Sequence, residues 1–173
     1  MLLRDVLVKV YSQLREELPV AVTLDIGTGK GENLSTLTAV YNSALIVTLD
    51  VDFSALSTLR ESFKRELERG RLSPVAGDAE KLPFREGVFG LVSALASLHH
   101  VDDIGRALEE AHRVLAPEGL LVVVEWTPES RLNPHGPSNA RRVIEELKEL
   151  LPRLFTLVDL RVYRDYLIVA ARK

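Results

Sequence analysis

Hydrophobic and polar positions alternate between two periods along this chain. Leu3, Leu7, Val10, Tyr11 and Leu14 recur at helical spacing, so residues 2–17 predict an amphipathic helix that stops ahead of Pro19. A continuous apolar run at 20–24 follows, ending in Asp25 and a glycine turn, which is the pattern of a strand buried on both faces. The sequence then predicts a helix over 31–41, a strand over 45–49 ending at Asp50, and a helix over 53–69 stopped by Gly70. A third apolar stretch around Val75 ends at Gly77-Asp78. Residues 88–95 predict a fourth strand, and Asp102 or Asp103 caps a helix reaching 115. Pro117-Glu118-Gly119 turns into a fifth strand over 120–126, and a last helix covers 138–151. Strands alternating with helices mean an α/β fold with a parallel sheet. The closing runs, 156–162 and 166–171, stand too close for a crossover helix, so they form an antiparallel pair at one end of the sheet.

The 173 residues suit one domain spanning 1–173, since domains run about 100–200 residues. Within it, 1–18 is an N-terminal helix and 127–138 is the candidate substrate loop. With no cysteine, disulfides, thiolate nucleophiles and cysteine metal sites are excluded, and no metal site is expected. Net charge is −3, which gives no reason to seek nucleic acid, although the residues from Arg131 onward carry 9 basic against 5 acidic side chains. No apolar run approaches the ~20 residues that cross a bilayer, and the opening segment does not read as a signal peptide, so a cytoplasmic location is expected.

Ligands of open α/β sheets lie beyond the carboxyl ends of the strands. Three such ends carry chemistry here. Gly27-Thr28-Gly29-Lys30-Gly31 follows the first strand and lets a ligand approach the backbone closely. The dinucleotide fingerprint needs a sixth-position glycine where Glu32 stands, and the phosphate-loop spacing is also absent, so a pyrophosphate is disfavoured. Asp50 ends the second strand, where a carboxylate can accept from both hydroxyls of a ribose. Asp52 competes for that role but also suits a helix N-cap. After the third strand, the Asp78 carboxylate and the Ala79 N–H match the amine and a ring nitrogen of adenine.

These segments resemble class I S-adenosylmethionine-dependent methyltransferases. Leu24-Asp25-Ile26-Gly27-Thr28-Gly29-Lys30-Gly31 is similar to their first motif, Asp50-Val51-Asp52-Phe53-Ser54-Ala55-Leu56 to the acidic end of their second strand, and Gly77-Asp78-Ala79-Glu80-Lys81-Leu82-Pro83-Phe84 to their adenine-binding segment. His112-Arg113-Val114-Leu115-Ala116-Pro117-Glu118-Gly119 resembles the branch that includes ubiquinone and menaquinone biosynthesis methyltransferases. The resemblance implies a Rossmann-like fold: seven strands in the order 3-2-1-4-5-7-6, the last antiparallel, with helices on both faces. It implies S-adenosyl-L-methionine as cofactor, with Gly27 and Gly29 at the methionine portion and Asp25 helping to hold its ammonium. Asp50, seconded by Asp52, takes the ribose, and Asp78 with Ala79 the adenine. Gly90 departs from the Asp common in relatives. The fourth strand runs into Ala94-Leu95-Ala96-Ser97, without the Asn/Asp-Pro-Pro-aromatic signature of enzymes that methylate nucleobase or glutamine amines.

A sulfonium is an activated methyl donor, so transfer depends chiefly on placing the acceptor. Where a base helps, His99 is the first candidate, followed by His100, Glu125 and His135. The expected acceptor is a small-molecule or lipid-like compound. Helix 2–17 and the loop carrying Trp126, Arg131, His135 and Arg141 are its candidate cover. So short a cover predicts an open site, with a large acceptor or a second subunit, from a homo-oligomer or a partner, completing it. The alternatives are a nicotinamide-dependent oxidoreductase on a related fold and a non-catalytic cofactor-binding partner subunit.

Overall fold

The structure, a computed structural model, describes residues 2–173; Met1, the first residue of the expected 1–18 helix, lies outside the described residues. The elements are α1 (Leu3–Glu17), β1 (Val22–Ile26), α2 (Glu32–Val40), β2 (Leu45–Asp50), α3 (Phe53–Ser62), α4 (Lys64–Glu68), β3 (Leu72–Ala76), β4 (Phe89–Leu95), a 3-10 turn (Leu98–His100), α5 (Ile104–Val114), β5 (Leu115–Trp126), α6 (Gly136–Leu154), β6 (Thr156–Val162) and β7 (Tyr166–Arg172). One seven-stranded sheet runs β3-β2-β1-β4-β5-β7-β6, the order that the resemblance implies, with β7 antiparallel to both its neighbours and its pairing with β6 as the spacing predicts. Helices lie on both faces, and each face has its own apolar cluster. One face carries α5 and α6, while α1, α2 and Phe63, which separates α3 from α4, cover the other.

Residues Val6, Leu7, Val10, Tyr11 and Leu14 of α1 are all buried, and burying an aliphatic side chain of this size contributes about 1.5–3 kcal/mol. The apolar stripe of α1 therefore forms part of the core. Among the described residues, no helix is long and apolar enough to cross a membrane.

Several boundaries differ from expectation, each for a local reason. The first strand begins at Val22, where Leu45 of β2 first pairs with it, and continues through Asp25 to Ile26. Asp25 was expected at the strand's end but sits inside it, because buried hydrogen-bond donors meet its carboxylate. The helix expected over 53–69 breaks at Phe63, whose φ of −124° is non-helical and whose buried ring belongs to the α1–α2 cluster. The fifth strand starts at Leu115, before the Pro117-Glu118-Gly119 turn, since Leu115 already pairs with Phe89. The last helix extends to Gly136 at its start and Leu154 at its end.

Candidate active site

The glycine loop leaves β1 in left-handed conformations, with φ of +82° at Gly27, +49° at Gly29 and +79° at Gly31. A Cβ on Gly27 would stand 2.4 Å from Ser97 Cβ, so only glycine lets the loop lie this close to the exit of β4. Ser97 Oγ donates to the Ile26 carbonyl at 2.9 Å, fastening the two segments. A Cβ on Gly29 would meet nothing within 4 Å, so that stretch of backbone faces open space.

Behind the loop lies a buried polar network that joins both sheet and helices. Asn33 Nδ2 donates to Asp25 Oδ1 at 2.6 Å, and Thr48 Oγ1 donates to Asp25 Oδ2 at 2.9 Å. Thr28 Oγ1 shares a 2.6 Å hydrogen bond with Thr48 Oγ1, so the chain of contacts reaches the glycine loop itself. On the other side, Tyr11 Oη donates to Asn33 Oδ1 at 2.9 Å and lies 2.5 Å from Ser93 Oγ. Asp25 has no accessible surface, and burial pushes its carboxyl up to about 7, against the opposing hydrogen bonds from Asn33 and Thr48. It thus braces the loop from behind and does not face the crevice.

Asp50, at the end of β2, is half-buried and faces the loop. Its Oδ2 accepts from Gly29 N at 3.0 Å and its Oδ1 from Asp52 N at 2.9 Å. Each carboxylate oxygen has one protein donor and keeps acceptor capacity for a further partner. Asp52 is the N-cap of α3: Ser54 N and Ser54 Oγ donate to its two oxygens at 2.8 Å and hold its carboxyl below the ordinary range. Of the two acids, Asp50 is the one with capacity to spare. Between them Val51 stands 76% exposed, an apolar side chain at the rim that the sequence reading passed over. Asp78 is exposed and accepts from Glu80 N at 2.9 Å, while Ala79 is buried.

The segment after β4 carries the other candidates. Ala96 adopts φ of +46°, a left-handed conformation costing about 1–2 kcal/mol, and this redirects the chain into the Leu98–His100 turn. Glu125, near the end of β5 and buried, accepts from Leu98 N at 2.8 Å through Oε1, and its Oε2 lies 2.8 Å from His99 Nδ1. His99 is therefore fixed on one nitrogen, leaving Nε2. His135, the N-cap residue of α6, closes over the turn, with ring centroids 4.8 Å from both His99 and His100. The His100 imidazole is held below its ordinary pKa by burial and by the charges of His99 and His135, against the carboxylates of Glu125 and Asp50.

The structure thus gathers Gly27, Gly29 and Asp50 at adjoining strand ends, with Asp78 at the end of β3 beyond β2, and His99 at the exit of β4. The sequence reading did not foresee the convergence of three histidines, because His135 reaches His99 and His100 only through the turn of the loop after β5. An apolar cavity of about 700 Å³ lies elsewhere, between α6 and the β6–β7 pair, and none of these residues lines it.

A family described as Methyltransferase domain matches residues 24–123, more than half of the chain. The malonyl-[acyl-carrier protein] O-methyltransferase of Geobacter sulfurreducens is 39% identical over 105 residues, covering 61% of this chain and 38% of that protein. The ubiquinone/menaquinone biosynthesis C-methyltransferase of Laribacter hongkongensis is 43% identical over 84 residues, covering 46% of this chain and 33% of that enzyme. The chain thus spans less than two fifths of the length of these curated relatives. Among solved structures, a SAM-dependent methyltransferase from Aquifex aeolicus superposes with a TM-score of 0.76 at 17% identity, over 99% of both chains. The [4+2]-cyclase SpnF gives 0.77 at 19% identity, over 98% of this chain and 80% of its own. These structural likenesses show a shared fold. The family match runs from β1 into β5 and takes in the glycine loop, Asp50, Asp78 and His99, and by it the chain belongs to the methyltransferase-domain family.

Proposed function

We propose that this chain transfers a methyl group from S-adenosyl-L-methionine to a small-molecule or lipid-like acceptor, and that it does so in the cytoplasm. The observation that carries the reading is Asp50: a carboxylate with free acceptor capacity, bonded to Gly29 N, beside a backbone loop that faces open space. The residues fit an adenosyl sulfonium. Gly27 and Gly29 offer close backbone approach to the methionine portion, Asp50 accepts from the ribose diol, and Asp78 with the Ala79 N–H addresses the adenine. Val51, exposed between Asp50 and Asp52, would offer the purine an apolar contact. Asp52 serves this site by starting α3, and Asp25 by bracing Thr48 and Asn33 behind the loop. Glu32, in the first turn of α2, occupies the helix start where a dinucleotide would place its pyrophosphate, which disfavours the nicotinamide alternative.

When bound, the sulfonium supplies an activated methyl carbon. The chain's own part is to position the acceptor and receive its proton. His99, oriented by Glu125 through Nδ1, is the residue we assign to that proton through Nε2. With α1 in the core, the loop over 127–135 is the remaining cover, so a second subunit, from a homo-oligomer or a partner, or a large acceptor completes the site. The relatives' names, a malonyl-[acyl-carrier protein] O-methyltransferase and a ubiquinone/menaquinone biosynthesis C-methyltransferase, agree with an acceptor of the kind an open site admits.

Calorimetry with S-adenosylhomocysteine tests the first step. Asp50→Ala removes charge-assisted hydrogen bonds worth about 1.5–3 kcal/mol each, so the Kd rises at least about tenfold. No binding by the unaltered chain at millimolar ligand would overturn the reading. Transfer of a radiolabelled methyl group into a cell extract then identifies the acceptor, and binding without any labelled product would favour a non-catalytic partner subunit.

A further inference from the structure

We propose that His99, His100 and His135 form a binding site for one divalent transition-metal ion of the zinc class, with Glu125 behind it as the carboxylate that orients His99. Three of the chain's four histidines gather at one point on the rim. One ring nitrogen from each lies within 4.8 Å of the others, and the ring centroids are 4.2–4.8 Å apart. A proton acceptor needs one imidazole. Three that converge repel one another when protonated, whereas a shared cation gives all three lone pairs a partner.

The surroundings have the form of a metal site. Metal-bound histidines usually give their second ring nitrogen to a carboxylate, which fixes the tautomer and raises the basicity of the ligating nitrogen. Glu125 stands in that place, 2.8 Å from His99 Nδ1, and its other oxygen is held by Leu98 N at 2.8 Å. His99 is thereby a fixed ligand through Nε2. His100 and His135 are exposed and, among the described residues, their rings have no protein hydrogen-bond partner, so they are free to draw inward. Nitrogens at about 2.0–2.1 Å from a tetrahedral zinc lie roughly 3.3 Å apart, a small contraction for two surface side chains. An all-imidazole set suits zinc, cobalt, nickel or copper and disfavours magnesium or calcium, which prefer oxygen.

Three protein ligands leave a fourth position open. The histidine turn follows the exit of β4, so the fourth position would take an oxygen donor of the acceptor; this last step rests on the methyl-transfer reading, while the metal site stands without it. With the ion seated, His99 serves as its ligand and no longer takes up a proton.

The test is zinc titration of the full chain after treatment with a chelator, followed by calorimetry, with cobalt as a spectroscopic probe. One ion per chain is expected, and the visible spectrum of the cobalt form is that of a four-coordinate site. His100→Ala and His135→Ala, both at exposed positions, each weaken zinc at least tenfold, and the double variant loses it. Glu125→Gln weakens it about 10–100-fold. His112→Ala, whose ring packs on Phe155, leaves it unchanged. The affinity for S-adenosylhomocysteine stays constant in the His100 and His135 variants. Substoichiometric zinc, or undiminished binding in the double variant, would overturn the proposal. Zinc bound by a chain that does not bind S-adenosylhomocysteine would leave the metal site standing and remove the methyl-transfer reading alone.

Discussion

Asp25 is a carboxyl without solvent, and its protonation sets a measurable pH dependence. Burial, aided by the charge of Asp50, holds it at about 7, above its ordinary 3.8, while Asn33 and Thr48 pull the other way. Between those two values the folded chain keeps a proton that the unfolded chain has released. Stability owed to this group is therefore complete below about 3.8, declines as pH rises through 7, and is constant above that. Asp25→Asn keeps the shape and removes the titration. Relative to the unaltered chain, its urea midpoint should rise from pH 4.5 to pH 7.5, at about 1.4 kcal/mol per unit of pKa displacement. A constant difference between the two proteins across that range would show that Asp25 titrates normally.

Among the connections between parallel strands of the described residues, the stretch between β3 and β4 is the one without a helix of its own, and it carries Asp78 and Ala79. Side chains of α5 hold it in place. Arg113 donates to the carbonyls of Leu82 and Phe84 at 3.0 and 2.8 Å and pairs with Glu110, whose Oε2 also accepts from Leu82 N. Glu80 Oε1 accepts from Asp102 N and Asp103 N, tying the same stretch to the start of α5. Arg113→Ala should cost about 1–3 kcal/mol of stability, speed amide exchange over 77–87, and weaken S-adenosylhomocysteine several-fold without abolishing it. Unaltered exchange in that segment would show that Arg113 does not hold it. The central strands and the acids at the ends of β2 and β3 were legible in the sequence, because those strands are short apolar runs punctuated by glycine or a carboxylate, whereas the strand order followed only from the resemblance to class I methyltransferases. The N-cap role of Asp52 was legible too, since it stands directly before the helix it starts. What stayed hidden depends on partners distant along the chain. Asp25 is buried because Asn33 and Thr48 reach it, and the helix over 53–69 breaks because Phe63 turns into the α1–α2 cluster. No periodicity announces either event.

At the scale of the whole molecule, one sheet with an apolar cluster on each face couples the site to global stability. A ligand that binds only the folded chain stabilises it by about 2.7 kcal/mol at a hundredfold excess over its Kd. For a domain of this size that is a rise in Tm of about 5–10 °C with S-adenosylhomocysteine, read by calorimetry as one transition. A single shifted peak supports one domain over 1–173; a split profile, with one part indifferent to ligand, would divide it. The fold alone does not choose the reaction, since a [4+2]-cyclase shares it, so the chemistry rests on the side chains around the crevice. The sheet's order has a further consequence for how the molecule is made. Of the seven strands, β7 is synthesised last, yet it lies between β5 and β6 and, among the described residues, is the only neighbour of β6. Until it leaves the ribosome, β5 presents a bare apolar edge and β6 has nothing to pair with, so a nascent chain stalled after β6 is the species most in need of a chaperone.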